Sequence, residues 1–428
     1  MMKTKHVRFA VIGLVLVCTL AAWAKPLSPG SKSKLIAAGE PGWSQWRGPR
    51  RDGVSDETNL LASWPEGGPK VLWTAGGLGK GWSSPVFSKD AIYITGDVGK
   101  ELHVFALTLD GKPKWKSVNG KAWEKPYGGA RASCTYDDGR VFVFNAHARL
   151  ACLNAEDGKE LWAVDTAAKY GVAKRVFGHS ESPLIDGDGV IVTPGGTKGL
   201  MVRFDKKTGK ELWVTKPAPE EAANYCSAIL AELGGKRQII TCGSRHAFGV
   251  DAKNGKVLWA FRHGIKKSMS AAIPILHDDL MFISNSSREK GFSYCLRIDT
   301  AAGKVTKVWD SKFANTHGSV ITVGGKIYGS SRRNILGWAC LDFVSGKIDY
   351  STEKLLLGSS IYADGRLYCL AQSGRMALMK PTEKGFEITG EFALAKDKKD
   401  AWAHPVILGG RLYLRFGGNL HCYSIQKK

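Results

Sequence analysis

Five times the chain carries a turn that ends on a tryptophan: Asp110-Gly-Lys-Pro-Lys-Trp115, Asp157-Gly-Lys-Glu-Leu-Trp162, Asp205-Lys-Lys-Thr-Gly-Lys-Glu-Leu-Trp213, Asp251-Ala-Lys-Asn-Gly-Lys-Val-Leu-Trp259, and Asp299-Thr-Ala-Ala-Gly-Lys304 leading to Trp309. Tyr350 and Phe392 fill the same slot further on. The copies lie about 41 to 51 residues apart, a period at which one supersecondary unit cannot bury its own faces and must stack on the next.

Ahead of each copy stands a second constant element. Asp137-Asp-Gly-Arg140, Asp186-Gly-Asp-Gly189, Gly324-Gly-Lys326, Asp364-Gly-Arg366 and Gly409-Gly-Arg411 each separate two β-branched or aromatic runs. Asp-Gly or Gly-Gly there reads as a tight hairpin, because a type I′ turn needs positive φ at both loop residues. A third strand follows (Leu150–Leu153, Met201–Phe204, Tyr294–Ile298, Ala339–Leu341), and the tryptophan strand makes a fourth. Four-stranded units of this kind pack around an axis.

The count is eight, so the expected fold is all-β: an eight-bladed β-propeller of four-stranded antiparallel blades. The last blade begins at Trp402 and ends after its third strand, His421–Ile425, while Val71-Leu-Trp-Thr74 is a fourth strand without a blade. The ring is therefore expected to close on an N-terminal strand at about residues 69–74.

Residues 1–24 read as a secretory signal peptide: Lys3, Lys5 and Arg8 precede a short apolar run and an Ala22-Trp-Ala24 exit. The run is too short to span a membrane, and Cys18 follows Val17 where a lipid-attachment site would have a small residue. Residues 25–42 read as a flexible lead and 43–428 as one propeller. The expected location is periplasmic or secreted, with no transmembrane segment after cleavage and a monomeric state.

Eight cysteines follow Cys18. Cys152, Cys295, Cys340 and Cys422 share the third-strand position of different blades, too far apart for bonds between them, so buried free thiols are expected. Cys226 and Cys242 lie within one blade and are the pair to inspect. The formal charge of +22 favours anionic partners, and export points away from nucleic acid.

Aligning the blades on their hairpins puts Trp82, Arg131, Ser180, Ser270, His317, Leu357 and Trp402 at one ring position at the start of the innermost strands, with Tyr225 beside them. His179 and His404 are next to that ring, and His147, Arg149, Arg245, His246, Arg288, Arg332, Arg333, Arg375 and Arg415 fall in loops of the same face. The planar guanidinium matches carboxylate, sulfate or phosphate oxygens bidentately, so this face is the candidate ligand surface. The expected contacts are Trp82, Arg131, His179, Glu181, Tyr225, Arg245, His317, Arg332, Trp402 and His404. The tryptophans of the repeated turns read as structural. No zinc-ligand spacing is present.

The repeated turn, the count of eight and the opening Trp43-Ser-Gln-Trp-Arg-Gly-Pro-Arg-Arg-Asp-Gly53 resemble the PQQ-binding-like, or quinoprotein-like, β-propeller family over residues 43–428. That family includes quinoprotein alcohol dehydrogenases and the BamB scaffold of outer-membrane assembly. The resemblance implies a funnel in which a dehydrogenase would hold PQQ, a calcium ion and a carboxylate base, beneath a pair of adjacent cysteines. This chain has no adjacent cysteines; Glu181 would be the base if it were an enzyme, and Asp97, Asn145, Asn224 and Asn285 are the other oxygen donors. The reading is a non-catalytic exported propeller, with no cofactor expected, that binds an acidic glycan, envelope component or protein through a cationic funnel. The alternatives implied by the resemblance are a PQQ-dependent oxidoreductase of alcohols or sugars and a BamB-type scaffold.

Overall fold

The computed structural model describes residues 33–38, 40, 42–216, 218, 220–264, 269–286, 291–332, 335–394 and 400–427. The segment read as a signal peptide lies outside them. Eight antiparallel sheets follow one another around a central bore. Blade one is Val86–Phe87, Ile92–Val98, Glu101–Leu107 and Pro113–Lys121, and each later blade repeats that order from the axis outward.

Blade eight holds Val406–Leu408, Arg411–Phe416 and Asn419–Ser424, and its outer strand is Val71–Ala75, paired Trp73 to Cys422 and Ala75 to Leu420. The N-terminal strand thus closes the ring as the pattern predicts. The hairpins also have the expected backbone: Asp138 and Gly139 have φ of 49° and 71°, and Asp364 and Gly365 have 46° and 75°.

In every blade the pairing of third and outer strands slips by one residue, beside a tryptophan or Tyr350 in seven of them; in blade seven the slip lies at Gly390, which takes the slot that the sequence pattern assigns to Phe392. Such a bulge re-aims the next side chain. In five blades it seats the tryptophan over a glycine in the neighbouring blade: Trp73 over Gly111, Trp115 over Gly158, Trp162 over Gly209, Trp213 over Gly255 and Trp309 over Gly346. Trp259 departs from the rule, bonding Gln238 Oε1 of its own blade at 2.8 Å.

The bore is filled. Of the lead expected to be flexible, Lys34–Leu35 pairs instead with the innermost strand of blade four, Ile229–Leu233, and Ser33 N donates to Asp278 O in the hairpin of blade five. From there the thread meets the remaining blades. Phe87 N donates to Trp43 O (blade one, 2.9 Å) and Tyr136 N to Ser44 O (blade two, 2.8 Å). The Arg51 guanidinium reaches Ser182 O and Pro183 O in blade three and Ala228 O in blade four. Arg47 reaches Val320 O (blade six, 2.6 Å), Ser55 N reaches Tyr362 O (blade seven, 2.8 Å), and Gly409 N of blade eight donates to Glu57. Residues 33–57 are hydrogen-bonded to all eight blades.

This explains the spacing of the opening motif. Arg47 and Arg51 both have left-handed backbones, φ 65° and 56°, and both are buried. A Cβ on Gly48 would fall 2.9 Å from the Trp43 ring, and one on Gly53 would fall 2.6 Å from the Arg47 guanidinium. Burial lowers both guanidinium pKa values to about 10, which leaves them cationic at neutral pH, held by a cage of carbonyl oxygens.

Candidate functional site

Above the thread, the ring position converges as the alignment predicts. Trp82 and Trp402 stack with centroids 4.6 Å apart, and Tyr127 stands edge-on to Trp402 at 5.4 Å. From there the rings continue through Phe177 (6.0 Å) to Tyr225 (5.8 Å), while His317 lies 6.4 Å from Trp402. Five rings from the loops of blades eight, one, two, three and four form an arc around the mouth. Tyr127 and Phe177 escaped the alignment because they sit a few residues before the ring position in loops of unequal length.

Below the arc is a neck. His404 N donates to Ser84 Oγ (2.9 Å), Ser84 N to Ser133 Oγ (2.8 Å), Ser133 N to Ser182 Oγ (3.1 Å) and Ser182 N to Ser227 Oγ (3.0 Å). Blades eight, one, two and three thereby each hand a hydrogen bond to the next, while between blades six and seven Ser360 N donates back to Ser319 Oγ. The signal was in the sequence, a serine two residues after the ring position, and His404 takes that place in blade eight. Its Nε2–H donates to His317 O at 2.8 Å, Arg47 approaches its Nδ1 at 3.4 Å, and Trp46 packs on it edge-on.

The charged candidates separate into two groups. Arg131 stacks on Trp82 and Trp123, 5.4 Å from each centroid, and donates to the carbonyls of Pro126, Tyr127 and Gly129. Arg245 pairs with Glu220 at 2.8 Å, Arg149 with Glu160 at 2.7 Å, and Arg375 with Glu391. Arg415, buried, donates to Ser83 and to main-chain carbonyls. These arginines hold the protein's own groups. Arg332 is exposed, whereas Arg175 lies over Tyr225 at 4.9 Å and donates to Ala223 O, so it too is engaged within the protein. Arg288 and Arg333 fall outside the described residues.

The titratable groups of the funnel are displaced by burial. His179, edge-on to Phe144 at 5.2 Å, is lowered to about 3, by burial first and then by Arg175 and His147. His317 is lowered to about 4 by burial and by Arg332, and His404 falls well below its usual value by burial and the neighbouring Arg47. All three are neutral at ordinary pH.

Glu181 is 2% exposed and faces inward: Thr193 N (2.6 Å) and Thr193 Oγ1 (3.0 Å) bind its two oxygens, and burial raises it to about 7 against those bonds. Asp97 is raised to about 6 by burial and accepts from Trp123 N at 3.0 Å. Asn224 donates to Gly243 O in its own blade, whereas Asn145 and Asn285 reach back to the preceding blade, at Asn119 O and His263 O. Among the described residues no three His, Cys, Asp or Glu side chains are grouped to hold a metal ion. Glu181 and Asp97 lie in separate blades, each already hydrogen-bonded within the protein.

All eight cysteines beyond Cys18 are free and buried, and Cys226 and Cys242 share a side-chain hydrogen bond. No helix of the described residues is long and apolar enough to cross a membrane.

Comparison with known proteins agrees with this architecture. A quinohemoprotein alcohol dehydrogenase of Pseudomonas putida is 28% identical over 158 residues, 32% of this chain and 21% of that protein. The outer membrane protein assembly factor BamB of Shewanella oneidensis is 21% identical over 291 residues, 65% of this chain and 66% of that protein. The chain thus matches about a fifth of the length of the first and just under two thirds of the second. The crystal structure of BamB from Moraxella catarrhalis superposes with a TM-score of 0.59 at 16% identity, covering 81% of this chain and 95% of that one. The family model described as outer membrane protein assembly factor BamB matches residues 99–352, more than half of the sequence, and the chain belongs to that family of PQQ-like β-propellers.

Proposed function

We propose that this is an exported, non-catalytic propeller that recognises an anionic envelope ligand at the mouth of its funnel. The observation that carries the reading is the aromatic arc, set on the face whose loops bear the exposed Lys80, Lys100, Lys125, Lys174, Lys198, Lys354 and Arg332. With the bore below occupied by residues 33–57, a ligand on this face rests on the mouth. Several exposed cations on one face raise the local concentration of polyanions. Charge reversal at Arg332 and Lys174 is expected to weaken binding of the purified protein to an acidic envelope polymer and to flatten its salt dependence. Unchanged affinity in the double variant would sink the proposal.

A second reading, a scaffold like the assembly factor, is favoured by the outer strands. Leu72, Leu161, Leu212 and Val308, each next to a seated tryptophan, are exposed on strands whose outer edges are unpaired among the described residues. Such edges can accept an added strand from a partner. Cross-linking from Leu161 and Leu212 in an envelope extract would capture that partner. The quinone-dependent oxidoreductase rests on likeness to the dehydrogenases; addition of PQQ and calcium, followed by absorbance of the desalted protein, tests it.

A further inference from the structure

We infer that the mouth is built for an acidic oligosaccharide, an inference that rests on the anionic-ligand reading above and specifies its ligand class. Five aromatic rings in contact are unusual on an open surface, since monomeric proteins keep large contiguous apolar patches for interaction sites. Here the chain holds one ring outward against its own backbone preference. Tyr127 is 56% exposed and has a φ of 54°, a left-handed conformation that is costly for a bulky residue. Arg131 keeps it there, donating to the carbonyls of Pro126, Tyr127 and Gly129 while stacked on Trp82 and Trp123. Arg131 is thus a positioning residue for Tyr127.

The geometry of the rings selects among anions. Trp82 and Trp402 are in contact at 4.6 Å and tilted by 35°, so they leave no parallel slot for a flat heterocycle between them. Successive rings change orientation, by 64° from Trp402 to Tyr127, 43° to Phe177 and 59° to Tyr225. Such a curved series of faces suits a chain of saturated rings, whose C–H faces pack on aromatic faces and whose linkages let each ring take its own tilt.

The polar groups at the arc fit hydroxyls and carboxylates. Neutral His317 stands beside Trp402 with Nδ1 on Thr316 Oγ1 at 3.1 Å, and exposed Arg332 is close enough to His317 to lower its pKa. A guanidinium takes a planar carboxylate in two parallel hydrogen bonds. Bare polyphosphate would use the cations and leave the aromatic arc idle.

Calorimetric titration of the full chain with oligogalacturonate, inorganic polyphosphate and neutral cellohexaose tests the inference, with Tyr127→Ala and Arg332→Glu as variants. Tyr127 is exposed, so its replacement is expected to leave the melting temperature unchanged. The expected result is binding of oligogalacturonate that weakens at least tenfold in each variant. If polyphosphate binds as well as oligogalacturonate and Tyr127→Ala alters neither, the sugar assignment is overturned while the anionic mouth stands. If cellohexaose binds as tightly as the acid, the anionic reading fails and a sugar site remains. Binding of none of the three overturns both.

Discussion

The indole of Trp115 occupies the place where a side chain on Gly158 would begin. A Cβ there would fall 2.5 Å from Cε3, and the indole N–H donates to Ala155 O at 3.0 Å in the same neighbouring blade. One blade thereby grips the next through a glycine held at φ 73°. Gly158→Ala would add left-handed strain to an overlap with a seated ring, for a loss of about 2–4 kcal/mol. Gly365→Ala is the comparison, with a similar φ of 75° and open space around it, where the loss is expected to be about 1 kcal/mol. Equal losses in denaturant titrations would show that the tryptophan seat contributes nothing.

The thread through the bore makes a second prediction. Arg51→Leu would leave Ser182 O and Ala228 O without the guanidinium, each a buried acceptor worth about 1–3 kcal/mol when left unsatisfied, while Pro183 O keeps its bond from Thr135 Oγ1. A drop in melting temperature of several degrees is expected. Arg51→Lys should rescue little of it, because an ammonium gathers its donors on one nitrogen, whereas these carbonyls are reached from two nitrogens held apart in a plane. Full rescue by lysine would mean that charge alone holds the thread.

Acid should destabilise the fold through its buried histidines. Between about pH 6.5 and the lowered folded values, the unfolded chain binds a proton at His179, His317 and His404 that the folded chain refuses. Unfolding free energy therefore falls as pH drops through that window, with a slope of about 1.4 kcal/mol per pH unit for each group. Glu181 has the opposite sign: its folded value of about 7 lies above its free value, so its contribution is lost as pH rises from the free value to about 7. Denaturation of His179→Phe at pH 7 and pH 5 should show a shallower pH dependence than the parent, and Glu181→Gln a steeper one. Parallel profiles would refute the assignment.

The thiols give a chemical check. Cys134, Cys152, Cys226, Cys242, Cys295, Cys340, Cys369 and Cys422 are all buried and free. Burial raises Cys134 and Cys152 to about 12, where almost no thiolate exists at neutral pH. Native protein should react slowly with a thiol reagent, and all eight should label after denaturation. Two labels fewer, restored by prior reduction, would place a disulfide between Cys226 and Cys242.

The ring, its count and its closing strand were legible because each depends on local chemistry repeated many times: a hairpin that needs glycine, and an indole that needs a glycine beneath it. The convergence of Trp82, Tyr225, His317 and Trp402 was legible for the same reason, since a common register fixes where each blade begins. The fate of the arginines was not. Arg131, Arg245 and Arg415 read as cations offered to a ligand, yet their partners are carbonyls and carboxylates brought near only by the folded loops. Nor did the sequence show that Trp43–Gly53 lies on the axis, because a thread with no periodicity of its own carries no sign of the walls around it.

That thread also bears on how such a protein can change over generations. Repeat arrays commonly grow or shrink by whole units, but a ring of seven or nine sheets would have a bore of another width. Arg47 and Arg51, which reach carbonyls of the inner strands in blades six, three and four, would then lose the spacing they span. Residues 33–57 act as a gauge of the number eight, and copying or deleting a single unit would require a new gauge at the same time.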